Sequence, residues 1–170
     1  MNLPYDLFTP ISVSEYEAQE LVRLSQRRDV LEVGSWLGCS AIAMAMNGAN
    51  IVHSIDWHEG DPHTGKNETL PQFWENVQRY NVRDKVVVHV GKSEDILPVL
   101  RDDMFDFIFI DAYHTYESCM KDIELSLPLL RRDGILAVHD YGVTEFVVTQ
   151  AVDELFPHRR LVQSLAIIWG

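Results

Sequence analysis

The chain alternates short apolar runs with segments of helical periodicity, and this alternation limits its possible folds more than any other feature. Parallel strands must be joined by crossovers of about a dozen residues or more, so this order predicts βαβ units and a mostly parallel sheet. The run at 105–110 is apolar almost throughout, as expected of a central strand covered on both faces. The predicted strands are 29–33, 51–55, 86–90, 105–110 and 134–138.

The last two apolar runs, 159–163 and 165–169, are separated only by Ser164 and cannot be joined by a crossover helix. We therefore expect them to pair as an antiparallel hairpin at one edge of the sheet. The predicted fold is α/β, a doubly wound Rossmann-like sheet of seven strands, five of them parallel, with a C-terminal antiparallel hairpin. Helices are predicted at about 12–26, with Ser12 or Ser14 as the N-cap, and at about 40–46, 71–80, 93–100, 116–130 and 144–155.

The sequence of 170 residues has 14 Lys and Arg against 26 Asp and Glu, and its net charge of −12 argues against binding to nucleic acid or to an anionic membrane. The N-terminus does not resemble a signal peptide, and two cysteines give no disulfide framework, so we expect a cytoplasmic protein. No repeat or linker divides the sequence, which predicts a single domain over 1–170. Within it, we expect 1–28 to cover the sheet and the long polar stretch 57–70 to be an active-site loop.

A glycine turn, running from Glu32 to Ser40, separates the first predicted strand from the second helix. Gly34 would let the backbone approach a ligand closely, although a tight βα turn without a ligand also explains the pattern E-x-G-x-x-x-G. Asp56, after the second strand, could accept hydrogen bonds from ribose hydroxyls or could cap a loop. Ser93, after the third strand, is a natural N-cap in a turn that would border the adenine of a bound adenosine group.

Two acids and two histidines follow the fourth and fifth strands, where open α/β sheets form their ligand crevice. Asp111, His139 and Asp140 could supply oxygen and nitrogen ligands to one divalent ion. Carboxylates and water suit Mg²⁺, Ca²⁺ or Mn²⁺, whereas a histidine favours Mn²⁺, Fe²⁺ or Zn²⁺. His114 could reach a substrate held there and accept a proton near neutral pH. A lone loop histidine is more often structural, but four convergent groups indicate a site.

These segments together resemble a class I S-adenosylmethionine-dependent methyltransferase, over nearly the whole chain from about 29 to 170. The stretch IFIDAYHTYESCMKDIELSLPLLRRDGILAVHDYG is similar to a subgroup that includes macrolide-sugar O-methyltransferases and cephalosporin-hydroxylase-like proteins. The metal-dependent catechol O-methyltransferases share the same layout. The resemblance implies S-adenosylmethionine as the cofactor and a divalent metal, Mg or Mn, as a second one.

The resemblance also implies a role for each matching residue. The implied contacts of the methionine part are Glu32, Gly34, Ser35, Trp36 and Ser40, and Asp111 is counted among the cofactor contacts. The implied contacts of the ribose and adenine are Asp56, Trp57, Gly91, Ser93 and Glu94. The implied metal ligands are Asp111, His139 and Asp140, and the implied catalytic base is His114.

His139 departs from the family pattern, because the relatives usually carry a carboxylate at this position. This departure leaves open a metal-free site or a softer ion. The sequence also contains no inserted substrate domain, so we expect 1–28, 57–70 and the loop after Asp140 to select the substrate.

The leading hypothesis for function is metal-assisted O-methylation of a small hydroxylated acceptor, either a sugar or a phenol-like molecule. One alternative is a metal-independent N- or O-methyltransferase, and another is a non-catalytic nucleotide-binding α/β module. The expected partners are the small-molecule acceptor and, because the chain is small and ends in an edge hairpin, a second copy in a homodimer. No nucleic-acid or membrane partner is expected.

Overall fold

A seven-stranded sheet forms the centre of the protein, seen in a computed structural model that describes residues 1–9, 12–61, 65–144 and 147–170. The strands are β1 (Asp29–Val33), β2 (Ile51–Asp56), β3 (Gly60–Asp61), β4 (Gly65–Lys66), β5 (Val86–Val90), β6 (Phe105–Ile110), β7 (Leu130–Val138), β8 (Arg160–Val162) and β9 (Leu165–Trp169). The α-helices are α1 (Glu15–Ser25), α2 (Cys39–Met46), α3 (Leu70–Arg79), α4 (Ser93–Ile96), α5 (Tyr116–Ser126) and α6 (Val148–Leu155).

The order of strands across the sheet is β5-β2-β1-β6-β7-β9-β8. The first five strands in this order pair in parallel, β9 pairs antiparallel with β7, and β8 pairs antiparallel with β9. The predicted fold class, with five parallel strands and a C-terminal hairpin, is therefore confirmed. The strands β3 and β4 form a separate two-stranded sheet inside the predicted loop 57–70.

The central strand β6 has its two faces buried in two separate apolar cores. Phe107 and Phe109 face one core, to which α1, α2 and α3 contribute side chains. Ile108 and Ile110 face the other, which includes side chains of α5 and α6. All four side chains are buried, with at most 3% of their surface exposed. The nearly continuous apolar run of β6 therefore reflects burial on both faces, as the sequence predicts.

The helices begin and end close to the predicted positions, with differences that have local causes. Ser14, not Ser12, is the N-cap of α1, and it forms a capping box with Glu17. The helices predicted at 93–100 and 116–130 are shorter than predicted, because each passes into a 3₁₀ turn, Leu97–Val99 or Leu127–Leu129, with a proline near its start. Proline has no backbone N–H to continue the α-helical hydrogen bonding.

Two further predicted boundaries were wrong. The helix predicted to begin at 144 begins at Val148, and residues 145–146 lie outside the described part of the chain. The strand predicted to begin at Gly134 begins at Leu130, which pairs with Phe105 ahead of a register irregularity. No helix within the described ranges combines the length and the apolar character that a membrane crossing needs.

Candidate functional site

The predicted site segments meet because the hydrogen bonding of the sheet continues past the strand ends. The amide of Gly34 donates to the carbonyl of Ile55 at 2.8 Å, and the amide of Asp111 donates to the carbonyl of Val33 at 2.8 Å. In the same way, the amide of His139 donates to the carbonyl of Ile110 at 2.9 Å. The residues after β1, β6 and β7 therefore lie side by side at the carboxyl edge of the sheet, where the sequence predicts a crevice.

Gly34 allows the close approach that the sequence predicts, but the partner is the protein itself. Its φ angle is +89°, and a Cβ atom built on it would lie 2.0 Å from the carbonyl oxygen of Asp111. A side chain at this position would therefore separate the turn after β1 from the end of β6. Gly34 keeps these two segments of the site together.

The carboxylate of Asp56 caps the turn after β1, which is one of the two roles that the sequence allows. Its Oδ2 accepts hydrogen bonds from the amides of Ser35 (2.9 Å) and Trp36 (2.7 Å), and its Oδ1 accepts one from the amide of His58 (2.7 Å). A carboxylate offers about four acceptor positions, so Asp56 retains capacity for one further donor. Trp36 has a φ angle of +45°, and its indole N–H is buried without a hydrogen-bond partner among the described residues.

Glu32 and Ser40, two of the residues expected to contact the methionine part, are buried and hydrogen-bonded to each other. Glu32 has no exposed surface, and its carboxylate lies 2.5 Å from the hydroxyl of Ser40 and 3.1 Å from that of Ser54. Burial raises the pKa of Glu32 to about 8, although these two hydrogen bonds act in the opposite direction. Ser35 is also buried, with its hydroxyl 2.5 Å from that of Ser54.

The residues expected around adenine lie on two neighbouring turns, because the amide of Gly91 donates to the carbonyl of Asp56. The ring of Trp57 is partly exposed, and Lys92 Nζ lies 5.3 Å from its centroid. Ser93 is not the N-cap of α4, since that position belongs to Lys92. Its hydroxyl instead donates to the buried carboxylate of Asp122 at 2.5 Å.

Glu94, the last residue of this group, is exposed. Its carboxylate pairs with Lys121 Nζ at 2.5 Å, which holds α4 to α5. This ion pair at the surface gives Glu94 a contact that does not depend on any ligand.

The acids and histidines predicted to form one site do converge. His139 Nδ1 lies 3.1 Å from Asp111 Oδ1 and 3.4 Å from Asp140 Oδ1. His114 Nε2 lies 2.6 Å from Asp140 Oδ2 and 3.9 Å from Asp111 Oδ1. Asp140 adopts a φ angle of +60°, a left-handed conformation that is uncommon for residues other than glycine. Asp140 lies two residues after the end of β7, and backbone conformations of this kind are common at functional sites.

The charges of this cluster shift the titration of each member. Burial disfavours the ionised form of Asp111, but the charge of His139 and hydrogen bonds from both histidines outweigh it and lower its pKa. Burial lowers the pKa of His114, but hydrogen bonds to Asp111 and Asp140 outweigh it and raise the pKa to about 9. The pKa of His139 is raised for the same reason, with the charge of Asp111 as the largest opposing effect. Without a metal ion at the two carboxylates, His114 therefore holds a proton at neutral pH.

Asp111, His139 and Asp140 also provide the geometry of a cation site. One ligand atom from each residue lies within 4.8 Å of the others. Two carboxylates and one imidazole form a donor set that suits a divalent transition ion, so these residues fit the metal that the sequence implies.

Glu17 is a member of this cluster that the sequence analysis does not identify. It is buried on α1, and its Oε2 lies 3.4 Å from His139 Nε2. Burial raises its pKa, but hydrogen bonds with His139 and Ser164 outweigh that effect and lower it to about 2. The spacing from Ser14 to Glu17 indicates a capping box, so the sequence offers a sufficient local reason for this glutamate.

The sheet order and the placement of these turns define a Rossmann-like methyltransferase fold, and comparisons with known proteins agree. Residues 31–141, most of the chain, match a family model described as a methyltransferase domain. The chain belongs to this family, the class I S-adenosylmethionine-dependent methyltransferases.

Curated relatives include a catechol O-methyltransferase from Mycobacterium tuberculosis, 34% identical over 131 residues, which are 75% of this chain and 56% of the relative. Another is a catechol O-methyltransferase from Niastella koreensis, 37% identical over 112 residues, which are 60% of this chain and 46% of the relative. The chain therefore spans about half the length of the curated relatives it matches.

Solved structures share the fold. An O-methyltransferase from Bacillus cereus in complex with SAH has a TM-score of 0.72 and 18% identity, covering 98% of this chain and 86% of that one. The O-methyltransferase TomG from Streptomyces achromogenes, in complex with SAM, has a TM-score of 0.68 and 22% identity, covering 90% of this chain and 71% of that one.

Proposed function

We propose that this protein transfers a methyl group from S-adenosylmethionine to a hydroxyl of a small acceptor, with the help of a divalent metal. The observation that carries the proposal is the cluster of Asp111, His114, His139 and Asp140 beside the capped turn after β1. The cluster can bind and deprotonate a hydroxyl, and the turn lies where class I methyltransferases hold their cofactor. The proposed acceptor is a phenol-like or sugar hydroxyl, and the catechol O-methyltransferase relatives favour an acceptor with adjacent oxygens.

The turns after β1, β2 and β5 fit S-adenosylmethionine, which supplies the methyl group when bound. Asp56 retains acceptor capacity for a ribose hydroxyl while its other positions hold the amides of Ser35 and Trp36. The unpaired indole N–H of Trp36 is available to a polar group of the ligand. Trp57 offers a partly exposed ring to adenine, with Gly91, Ser93 and Glu94 on the adjoining turn.

We propose Asp111, His139 and Asp140 as the metal ligands, and a bound divalent ion would lower the pKa of an acceptor hydroxyl. His114 takes the proton of that hydroxyl. Its Nε2 faces Asp140 Oδ2 at 2.6 Å, so the carboxylate stabilises the protonated ring once the proton has arrived. Asp111 and Asp140 raise the pKa of His114, and a divalent ion at these carboxylates would offset that effect. The ring could then lose its proton and act as a base. Much of the remaining rate acceleration would come from alignment of donor and acceptor.

One specific observation favours a metal-independent reaction as the second candidate. His114 and Asp140 form a close ion pair, and His139 bridges Asp111 and Glu17, so the cluster can balance its charges internally. In that case His114 and the geometry of the crevice would support methyl transfer to oxygen or nitrogen by proximity.

The loop 57–70, the segment 1–28 and the loop after Asp140 remain our candidates for substrate selection within a single domain. Residues 10–11, 62–64 and 145–146 of these segments lie outside the described part of the chain, so this proposal rests on the sequence and on the position of Trp57.

The proposal is tested by thermal melting with S-adenosylhomocysteine and, separately, with NAD. S-adenosylhomocysteine is expected to raise the melting temperature, because a ligand that binds only the folded state stabilises it. A shift with NAD alone would contradict the methyltransferase function and favour a nucleotide-binding module.

The metal is tested by measuring methyl transfer to a panel of catechols, phenols and sugars before and after thorough chelation with EDTA. Loss of activity that Mn²⁺ or Mg²⁺ restores is expected. Unchanged activity would support the metal-independent candidate instead.

A further inference from the structure

Glu17 makes contacts that its position in a capping box does not require. The side chain is only 3% exposed, although it belongs to the first turn of α1. Its Oε1 accepts from the amide and the hydroxyl of Ser164, at 2.9 and 2.6 Å, and its Oε2 accepts from the amide of Ser14 at 2.9 Å. His139 Nε2 lies 3.4 Å from Oε2. Glu17 therefore connects α1 and the β8–β9 turn to the acid–histidine cluster.

Among the described residues, the groups that point at Glu17 can all donate a hydrogen bond. They are the amides of Ser14 and Ser164, the hydroxyl of Ser164 and, in one tautomer, His139 Nε2. A carboxylate accepts at both oxygens and can satisfy this set, whereas an amide would turn its NH₂ group toward at least one donor. The surroundings of Glu17 therefore require a carboxylate.

This arrangement determines which nitrogen of His139 is available to a metal. Without an ion, carboxylates that can only accept face both ring nitrogens, so Nδ1 and Nε2 can each carry a hydrogen. A ring nitrogen that ligates a metal must be deprotonated, and with an ion at Asp111 and Asp140 the remaining hydrogen of His139 is favoured on Nε2, where Glu17 accepts it. The hydroxyl of Ser164, 3.3 Å from Nε2, donates to Glu17 and can accept from the ring as well. The lone pair then lies on Nδ1, which faces Asp111 and Asp140 at 3.1 and 3.4 Å. A histidine ligand of a metal commonly donates its other N–H to such a carboxylate.

We propose that Glu17 is a positioning residue for the metal site: it fixes the ring of His139 so that Nδ1 is directed at the ion held by Asp111 and Asp140. The inference rests on the metal-dependent form of the proposed function. It links the histidine that departs from the family pattern to a glutamate on a distant helix, and it makes the metal affinity depend on a residue that does not touch the ion.

The test is Mn²⁺ binding to the whole chain, measured by the EPR signal of free Mn²⁺ without cofactor or acceptor. Glu17→Gln is expected to weaken binding about 10- to 100-fold, as loss of a carboxylate behind a histidine ligand commonly does. Glu20→Gln is the matched control, because Glu20 lies on the same helix and pairs with Arg23 and Arg160 rather than with the cluster. Equal affinity of Glu17→Gln and wild type would overturn the inference.

Introducing Glu17→Gln into a His139→Asp variant separates the positioning of the His139 ring from a general effect on the fold. In His139→Asp, Glu17 faces a like charge instead of an imidazole, so adding Glu17→Gln is expected to leave Mn²⁺ affinity unchanged or to increase it. An equal loss in both backgrounds would mean that Glu17 acts only through the stability of α1. The melting temperature and the affinity for S-adenosylhomocysteine of each variant report whether the fold is intact.

A measurement on the wild-type protein gives a test that does not depend on any variant folding correctly. With Zn²⁺ as a diamagnetic probe, long-range ¹⁵N–¹H NMR spectra are expected to show His139 with a hydrogen on Nε2 and the ion on Nδ1. Ligation through Nε2 would overturn the inference. If the wild type binds S-adenosylhomocysteine but neither ion, the inference and the metal part of the proposed function both fail, while the methyltransferase assignment stands.

Discussion

The two histidines of the site differ in what surrounds their rings. His139 is enclosed, with Asp111 and Asp140 on one side and Glu17 and Ser164 on the other. The side chain of His114 is 18% exposed and has its close ion pair with Asp140. A ligand of a metal must be held still, whereas a base must reach solvent or substrate. These surroundings support our assignment of His139 as a ligand and of His114 as the base.

His114→Ala is expected to reduce kcat about 10²- to 10⁴-fold, which is the usual contribution of general acid–base catalysis. The affinity for S-adenosylhomocysteine should remain near that of the wild type, because the ring contacts the carboxylates of the cluster rather than the turn after β1. Steady-state kinetics and calorimetric titration measure the two quantities. His158→Ala, an exposed histidine outside the site, is the control. Similar losses in kcat and in cofactor affinity would contradict the assignment of His114 as the base.

The raised pKa of Glu32 should make the stability of the protein depend on pH. Its pKa rises from 4.5 to about 8 on folding, so the unfolded chain ionises first and the stability of the wild type falls as pH rises through this range. The free energy of unfolding falls by at most about 1.4 kcal/mol per pH unit. Below the pKa of Glu32 in the unfolded chain, both states are protonated and this decrease is absent. Glu32→Gln lacks this titration, so its free energy of unfolding relative to the wild type is expected to increase between pH 5 and pH 8.

Urea denaturation of both proteins across this pH range checks the prediction for Glu32. Glu124→Gln, an exposed glutamate on α5, is the control and should show no such trend. A difference between Glu32→Gln and the wild type that stays constant with pH would mean that Glu32 is ionised in the folded protein.

At the level of elements, the sequence predicts strands better than helix ends. The boundaries of β1, β5 and β6 are those predicted, because each apolar run is bordered by polar or turn-forming residues. Helical periodicity continues through Pro98 and Pro128, whereas backbone hydrogen bonding does not, so the predicted helices extend too far. The start of β7 depends on pairing between Leu130 and Phe105, which sequence periodicity does not indicate.

The junction of β1 and β6 depends on Gly34, so Gly34→Ala is expected to destabilise the protein by several kcal/mol. Its Cβ would lie 2.0 Å from the backbone of Asp111, which cannot move without disturbing the sheet. Gly142→Ala is the matched control, since Gly142 has a similar φ of +86° but no atom of the described residues within 4 Å of an added Cβ. Gly142→Ala should lower the free energy of unfolding by only about 1 kcal/mol, the usual strain of a non-glycine residue in the left-handed conformation. Equal losses in denaturation experiments would mean that the close approach to Asp111 is unimportant.

At the scale of the whole molecule, the sequence predicts which residues gather at the carboxyl edge of the sheet but not what supports them. Asp111, His114, His139 and Asp140 follow strands that the βαβ pattern predicts to be parallel, so their carboxyl ends lie at one edge of the sheet. Glu17 reaches the same cluster only because α1 packs beside β8 and β9, and that packing depends on contacts between distant parts of the chain. Its neighbours in sequence carry no signal of this contact. The homodimer expected from the edge hairpin stays a prediction.

The continuation of the sheet beyond its strands has a consequence for the exchange of amide hydrogens with solvent. The amides of Asp111 and His139 donate to Val33 and Ile110 inside the parallel ladder, whereas the amide of Val143 donates to Asp140 within a local turn. Amides held by the ladder should exchange with deuterium only through large-scale opening, and that of Val143 through local opening. NMR-detected exchange should therefore find Asp111 and His139 as slow as their neighbours in β6 and β7. Comparable exchange rates at Asp111 and Val143 would contradict this expectation. Slow exchange at Asp111 and His139 would mean that these two proposed ligands move apart only when the sheet itself opens.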